Sequence, residues 1–217
     1  MKTDMTSELL KTIEGTKNSK DNLYAQVVDD FNQLPEILEG VNSSNAKVRY
    51  TCSKILVNLS AKYPERLYPH IDEFFARLNS KHRILIWNAL AIIANLAAID
   101  TDKKIDAQFE KIYNLMNDEY MVTVANLITS SSKIALAKPY LTHKITTELL
   151  KVENLATKPH LTEECKLILA EKTLETFGKF CNKMSPEDMT SVLSFAKRYR
   201  DSKRRTLSRQ AETLLKK

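Results

Sequence analysis

Apolar side chains recur along this chain in two alternating spacings. The shorter has an apolar residue, another four positions on and a third about seven on. Ile37 and Val41 begin it, followed by Ile71, Phe75 and Leu78, by Ile105, Phe109 and Ile112, by Ile145, Leu149 and Val152, and by Met189, Leu193 and Ala196. That spacing predicts helices with one buried face. The longer spacing is apolar at x, small at x+4, and apolar at x+7, x+8 and x+11. Val48, Cys52, Ile55, Leu56 and Leu59 satisfy it, as do Leu85, Ala89, Ile92, Ile93 and Leu96. Leu207, Ala211, Leu214 and Leu215 follow it to the chain end. Met121, Ala125, Ile128, Thr129 and Ser132 start in the pattern and turn polar, and the stretch 162–181 fits more than one register. The starts at 48, 85 and 121 are 37 and 36 residues apart. A two-helix period of that length is the signature of a helical solenoid.

Punctuation marks the same segments. Pro64, Pro139 and Pro186 stand where first helices begin, and Ser185-Pro186-Glu187-Asp188 supplies a cap, an N1 proline and an acidic first turn. Asp118, Thr162 and Asp201 or Ser202 are the expected caps of second helices, and Asn79-Ser80-Lys81 is a polar elbow. Before the array, a helix Glu8 to Glu14 starts at Thr6 or Ser7 and stops at Gly15, and another from Asp21 carries Leu23, Val27, Val28 and Phe31. Residues 1–34 are therefore expected to cap the array, which runs over 35–217, because stacked repeats close their ends with atypical elements. The predicted fold is an all-α, right-handed α-α superhelix of about five helix pairs.

Composition narrows the function classes. Among 217 residues only three are Gly and six Pro, too few for hairpins or Gly-rich phosphate loops. Cys52, Cys165 and Cys181 are odd in number, lack C-x-x-C spacing and fall in helical stripes, so reduced thiols and a cytoplasmic location are expected. The N-terminus has no apolar core of signal-peptide length. The longest apolar run, Ile84 to Ile99, is broken by Asn88 and Asn95 and is shorter than a bilayer demands, so no membrane association is expected.

The chain resembles the HEAT repeats, an armadillo-type superhelix family. The resemblance rests on Leu34-Pro35-Glu36-Ile37-Leu38, on Val48-Arg49 followed by small Cys52, and on Tyr63-Pro64-Glu65 and Tyr68-Pro69-His70-Ile71. It is strong over the first two units and loose over the last three. In layout the chain is also similar to the HEAT-like alkylpurine DNA glycosylases. That family implies a basic groove, lesion-contacting aromatics and a catalytic aspartate. Here Trp87 is followed by Asn88, Ala89, Leu90 and Ala91, with no acid in the next turn. The glycosylase activity is not carried over.

No enzyme motif is present: neither a P-loop nor a dinucleotide fingerprint, and neither G-x-S-x-G nor H-E-x-x-H. His70, His82, His143 and His160 are scattered singly, and Asp29-Asp30 and Glu163-Glu164 point about 100° apart on a helix. No catalytic residue, cofactor or metal site is expected.

Two surfaces remain as candidates. Tyr50 and Trp87 both occupy x+2, on the side of the second helix away from its packing stripe, and Asn58 and Asn95 both occupy x+10. With Lys54 they would line an inner groove of second helices, where aromatics serve as anchors. The other surface is the C-terminal segment 197–217, where nine bases against two acids give +7 of a chain total of +6. It includes Arg198, Arg200, Lys203, Arg204, Arg205 and Arg209, a patch that suits an anion or nucleic acid or simply solvates a terminal repeat. The expected function is a non-enzymatic scaffold that holds a protein or peptide in its groove. The alternative is a nucleic-acid binder that also uses lysines such as Lys47, Lys54, Lys133 and Lys166.

Overall fold

The computed structural model describes Leu10, Ile13 and residues 20–217. The expected helix Glu8 to Glu14, with its Thr6 or Ser7 start and Gly15 stop, lies outside them except for Leu10 and Ile13, both buried. The chain forms two compact units, Met1–Ile92 and Ile93–Lys217.

The first unit begins with α1 (Lys20–Asp29) and a 3-10 turn, Phe31–Gln33. α2 (Leu34–Gly40) and α3 (Ala46–Lys62) form its first helix pair. The second pair opens with α4 (Pro64–Leu67), a 3-10 turn Tyr68–His70 and α5 (Ile71–Arg77). This first helix is segmented because Pro69 has no N–H for the α-helical ladder. α6 (Arg83–Leu96) follows and passes the unit boundary. Asn45 starts α3 by accepting hydrogen bonds from the backbone N–H groups of Lys47 and Val48, at 2.9 and 3.4 Å.

In the second unit α7 (Lys104–Ala107) and α8 (Phe109–Tyr113) make a segmented first helix before α9 (Met121–Ala137). α10 (Thr142–Leu150) precedes α11 (Glu163–Phe180), and α12 (Pro186–Tyr199) precedes α13 (Arg205–Leu215). Thr162 caps α11 and Ser185 caps α12, each through its hydroxyl oxygen, as the punctuation predicts.

The second-helix stripe is the core. Val48, Cys52, Ile55, Leu56, Leu59, Leu85, Ala89, Ile92, Ile93 and Leu96 are each at most 4% exposed. In α9 the stripe runs one residue ahead of the expected frame. Val124, Leu127, Ile128 and Ser131 are buried, while Ala125 is half-buried and Thr129 exposed, which puts x at Tyr120. Ser131 sits inside because its hydroxyl donates to Leu127 O (2.8 Å) and accepts from the Tyr113 hydroxyl (3.0 Å). In α11 the register resolves to Ala170, Thr173, Leu174 and Phe177, so x is Lys166. The fifth first helix departs from expectation in part: α12 buries Ala196 as expected, but with Asp188, Val192 and Phe195, whereas Met189 and Leu193 are half-buried. Asp188 takes the leading core position because His143 Nδ1 lies 2.8 Å from its Oδ1.

The step from Tyr120 to Lys166 is long because the segment before α11 docks on the preceding elbow. Lys158 and Leu161 exchange two backbone hydrogen bonds, both 2.9 Å, and Leu161 is buried. His160 accepts a hydrogen bond from the Met121 N–H (3.2 Å) and stacks on Tyr120 with centroids 4.4 Å apart.

A buried charge cluster joins the elements of this unit. Lys138 Nζ lies 3.0 Å from Asp100 Oδ2, 2.9 Å from Asp106 Oδ2 and 3.1 Å from the Tyr140 hydroxyl. The Asp106 contact is an ion pair without hydrogen-bond geometry. Asp100 also accepts from the backbone N–H groups of Lys104 and Ile105, at 2.9 and 3.0 Å, and so starts α7 after Lys103 in the left-handed region (φ 54°). Burial by itself lowers the Lys138 pKa, but contacts with Asp106, Tyr140 and Asp100 outweigh it and hold the ammonium above the ordinary lysine value.

Candidate functional site

In the first unit, α3 and α6 meet through Asn88, which donates to Ser53 Oγ at 2.8 Å. That bond lies one residue from Trp87 and three from Tyr50. Tyr50 and Trp87 are both half-buried, and Lys54 and Asn58 are exposed on α3. The Tyr50 ring takes His82 edge-on, with centroids 6.4 Å apart, and the Arg49 guanidinium lies 4.9 Å from its centre. Tyr50 is therefore a held aromatic rather than a free one. Ile84, one turn before Trp87, is 38% exposed. α6 thus presents accessible apolar side chains away from its buried stripe.

In the second unit, Asn95 is half-buried and its side-chain oxygen accepts a hydrogen bond from Lys133 of α9. The corrected α9 frame places Val122 at x+2, the template position of Tyr50 and Trp87. Val122 is 39% exposed and Leu136, farther along the same helix, 44%. Neither residue stands out in the sequence, where a frame begun at Met121 puts Val122 at x+1 instead of x+2. The signal that finds Val122 is the polar but self-bonded Ser131, which restores the frame.

The basic segment is partly neutralised. Arg198 pairs with Glu153 through its Nε at 2.7 Å and through Nη2. Arg204 reaches Glu171 and Glu164, both at 2.7 Å. Arg200, Lys203, Arg205 and Arg209 are exposed. Of the other lysines considered for nucleic acid, Lys133 is engaged by Asn95 and Lys166 lies 3.3 Å from Glu163.

The cysteines divide. Cys52 is buried beneath α2, and burial pushes its thiol up to about 12. Cys165 and Cys181 are half-buried, outside the stripes expected of them. Among the described residues, no three His, Cys, Asp or Glu side chains converge as metal ligands. No described helix is long and apolar enough to cross a membrane.

No protein-family model and no curated protein sequence matches this chain. Among solved structures it is similar to a designed armadillo repeat protein, with 16% identity over 97% of this chain and 90% of that one, and a TM-score of 0.61. An engineered protein matches with 15% identity over 97% of this chain and 98% of that one, TM-score 0.63. These likenesses show the fold, an all-α solenoid of the armadillo and HEAT type.

Proposed function

We propose that this protein is a non-enzymatic scaffold that holds a segment of another protein against the accessible face of its second helices. One observation carries the reading. Of the four large apolar side chains exposed among the described residues, Ile84, Val122, Leu136 and Tyr140, three lie on second helices. Val122 repeats the position held by Tyr50 and Trp87. Accessible aromatic and aliphatic anchors beside amides and lysines suit an extended segment with an apolar side chain every few residues. The nucleic-acid alternative has less support, because Arg198 and Arg204 already face carboxylates. Three free thiols fit a reducing compartment such as the cytoplasm.

The chain has one tryptophan, so Trp87 emission reports on the face itself. Peptides selected from a displayed library on the full chain are expected to shift that emission. Tyr50→Ala is expected to weaken them by about tenfold or more, the loss typical of an interface anchor. Peptides that bind without moving Trp87 emission, and bind Tyr50→Ala equally well, would defeat the reading.

A further inference from the structure

The elbows within the first two helix pairs flank a polar cleft of about 560 Å³, lined by the turn after α2, the start of α3, the end of α5 and the turn into α6. Arg49, Arg77, Lys81 and His82 all line it. Arg49 is only 8% exposed, yet its hydrogen-bond partners are neutral: its Nη1 donates to Ser43 O at 2.8 Å and to Ser44 O at 3.2 Å. No carboxylate pairs with it among the described residues. Arg77 is fixed by Asn42 Oδ1 at 3.1 Å, and the two carboxylates that act on it, Glu73 at 3.8 Å and Glu39, both stand outside the cleft lining.

A guanidinium taken out of water without a counter-charge is costly, and a bound anion would supply the missing charge. Both forks are also held in place before any ligand arrives, which lowers the ordering cost of binding. Two hydroxyls complete the donor set. The Ser43 oxygen accepts from the Asn45 N–H and the Ser80 oxygen from the His82 N–H, each at 3.1 Å. Each hydroxyl hydrogen is left to donate into the cleft, where both serines are lining residues. Lys81 is exposed at the mouth. The His82 pKa is lowered, first by burial and then by the Arg49 and Lys81 charges.

From this geometry we infer that the elbow cleft binds a phosphate-type dianion through Arg49, Arg77 and Lys81, with Ser43 and Ser80 as hydroxyl donors. Planar forks beside a flexible ammonium and hydroxyls suit tetrahedral oxyanions. The same chemistry arrives either as a free small phosphate or as the phosphorylated side chain of a bound peptide. The site adjoins the second-helix face, since Arg49 and His82 also meet the Tyr50 ring, but it uses different donors, and its failure would leave that reading standing.

The test titrates the full-length protein with inorganic phosphate, a phosphoserine peptide and the same peptide unphosphorylated, followed by amide chemical shifts. The Ser43, Ser44, Lys81 and His82 amides are expected to move together. Lys81→Glu, a solvent-exposed change, is expected to weaken binding by about tenfold or more with an unchanged melting temperature. Arg77→Gln provides a second variant with the same expected loss. A phosphopeptide that binds about tenfold tighter than inorganic phosphate identifies a modified side chain as the source, and equal affinities identify a free phosphate. The inference is overturned if neither phosphate ligand moves those amides at about 10 mM, a concentration well above the range of specific sites. It is equally overturned if binding is unaffected by Lys81→Glu and Arg77→Gln, or if the unphosphorylated peptide binds as well.

Discussion

Replacing Lys138 with Met tests whether the buried charge cluster holds the second unit together. The side chains of Lys138 and Asp100 are 4% and 0% exposed, so Lys138→Met leaves the Asp100 carboxylate buried without its cation. Breaking one side of such a pair costs about 3–5 kcal/mol. The lower end applies here because two backbone N–H groups still hold the Asp100 carboxylate, and Asp106, at 22% exposed, retains water. A loss of about 3 kcal/mol corresponds to a melting-temperature drop of about 6–12 °C for a chain of this size. The double variant Lys138→Met with Asp100→Asn removes both charges but keeps only one of the two capping oxygens, because the amide nitrogen cannot accept from a backbone N–H. It is expected to recover part of the loss, the uncompensated buried charge being gone while one capping bond is lost. Urea unfolding followed by circular dichroism gives the three midpoints, and amide exchange in α7 and α9 localises the change. An unchanged midpoint for Lys138→Met, or a double variant as unstable as the single, would refute the reasoning.

Three further outcomes follow from particular contacts. A Cβ on Gly40 would lie 2.5 Å from Cys52 Sγ and 2.8 Å from Leu10 Cδ2; Gly40→Ala is therefore expected to destabilise by about 1–3 kcal/mol, measured as a shifted thermal midpoint. Native protein is expected to release two reactive thiols, Cys165 and Cys181, to a thiol-specific reagent at neutral pH, with Cys52 reacting only after unfolding; mass spectrometry of the labelled peptides decides it. Burial raises the Glu171 pKa, but hydrogen bonds from Thr206 and Arg204, with the charges of Arg204 and Lys172, bring it below the usual carboxylate value. A depressed folded-state pKa gives stability that is present above the unfolded value of about 4.3 and is lost as pH falls through the folded one. Glu171→Gln is accordingly expected to melt lower than the parent at neutral pH, and the gap to narrow as the pH is taken into acid; a gap that does not change with pH would contradict this.

Much of the repeat is legible because the first two second helices carry an apolar or small letter at every core position, from Val48 to Leu59 and from Leu85 to Leu96. The later ones conceal the pattern behind hydroxyls. Ser131 and Thr173 are buried, and each donates to a carbonyl of its own helix, at 2.8 and 2.9 Å, so they occupy core positions under polar letters. Asp188 does the same with His143 as its partner. The second-helix face could be placed from position alone at Tyr50 and Trp87, whereas Val122 was lost with the α9 frame. Long-range pairing left no local trace. Lys138 meets Asp100 across 38 residues, and Arg198 meets Glu153 across 45, so a charge count reads Arg198 and Arg204 as available when both face carboxylates.

The most direct test of the second-helix face as the binding surface is photo-cross-linking of a library-selected peptide that carries a benzophenone side chain at its apolar anchor. Mass spectrometry is expected to find the attachment points on second helices, at Tyr50, Ile84 or Trp87 in the first unit or at Val122 or Leu136 in the second. Attachment confined to the first helices, such as α5, α10 or α12, would contradict it.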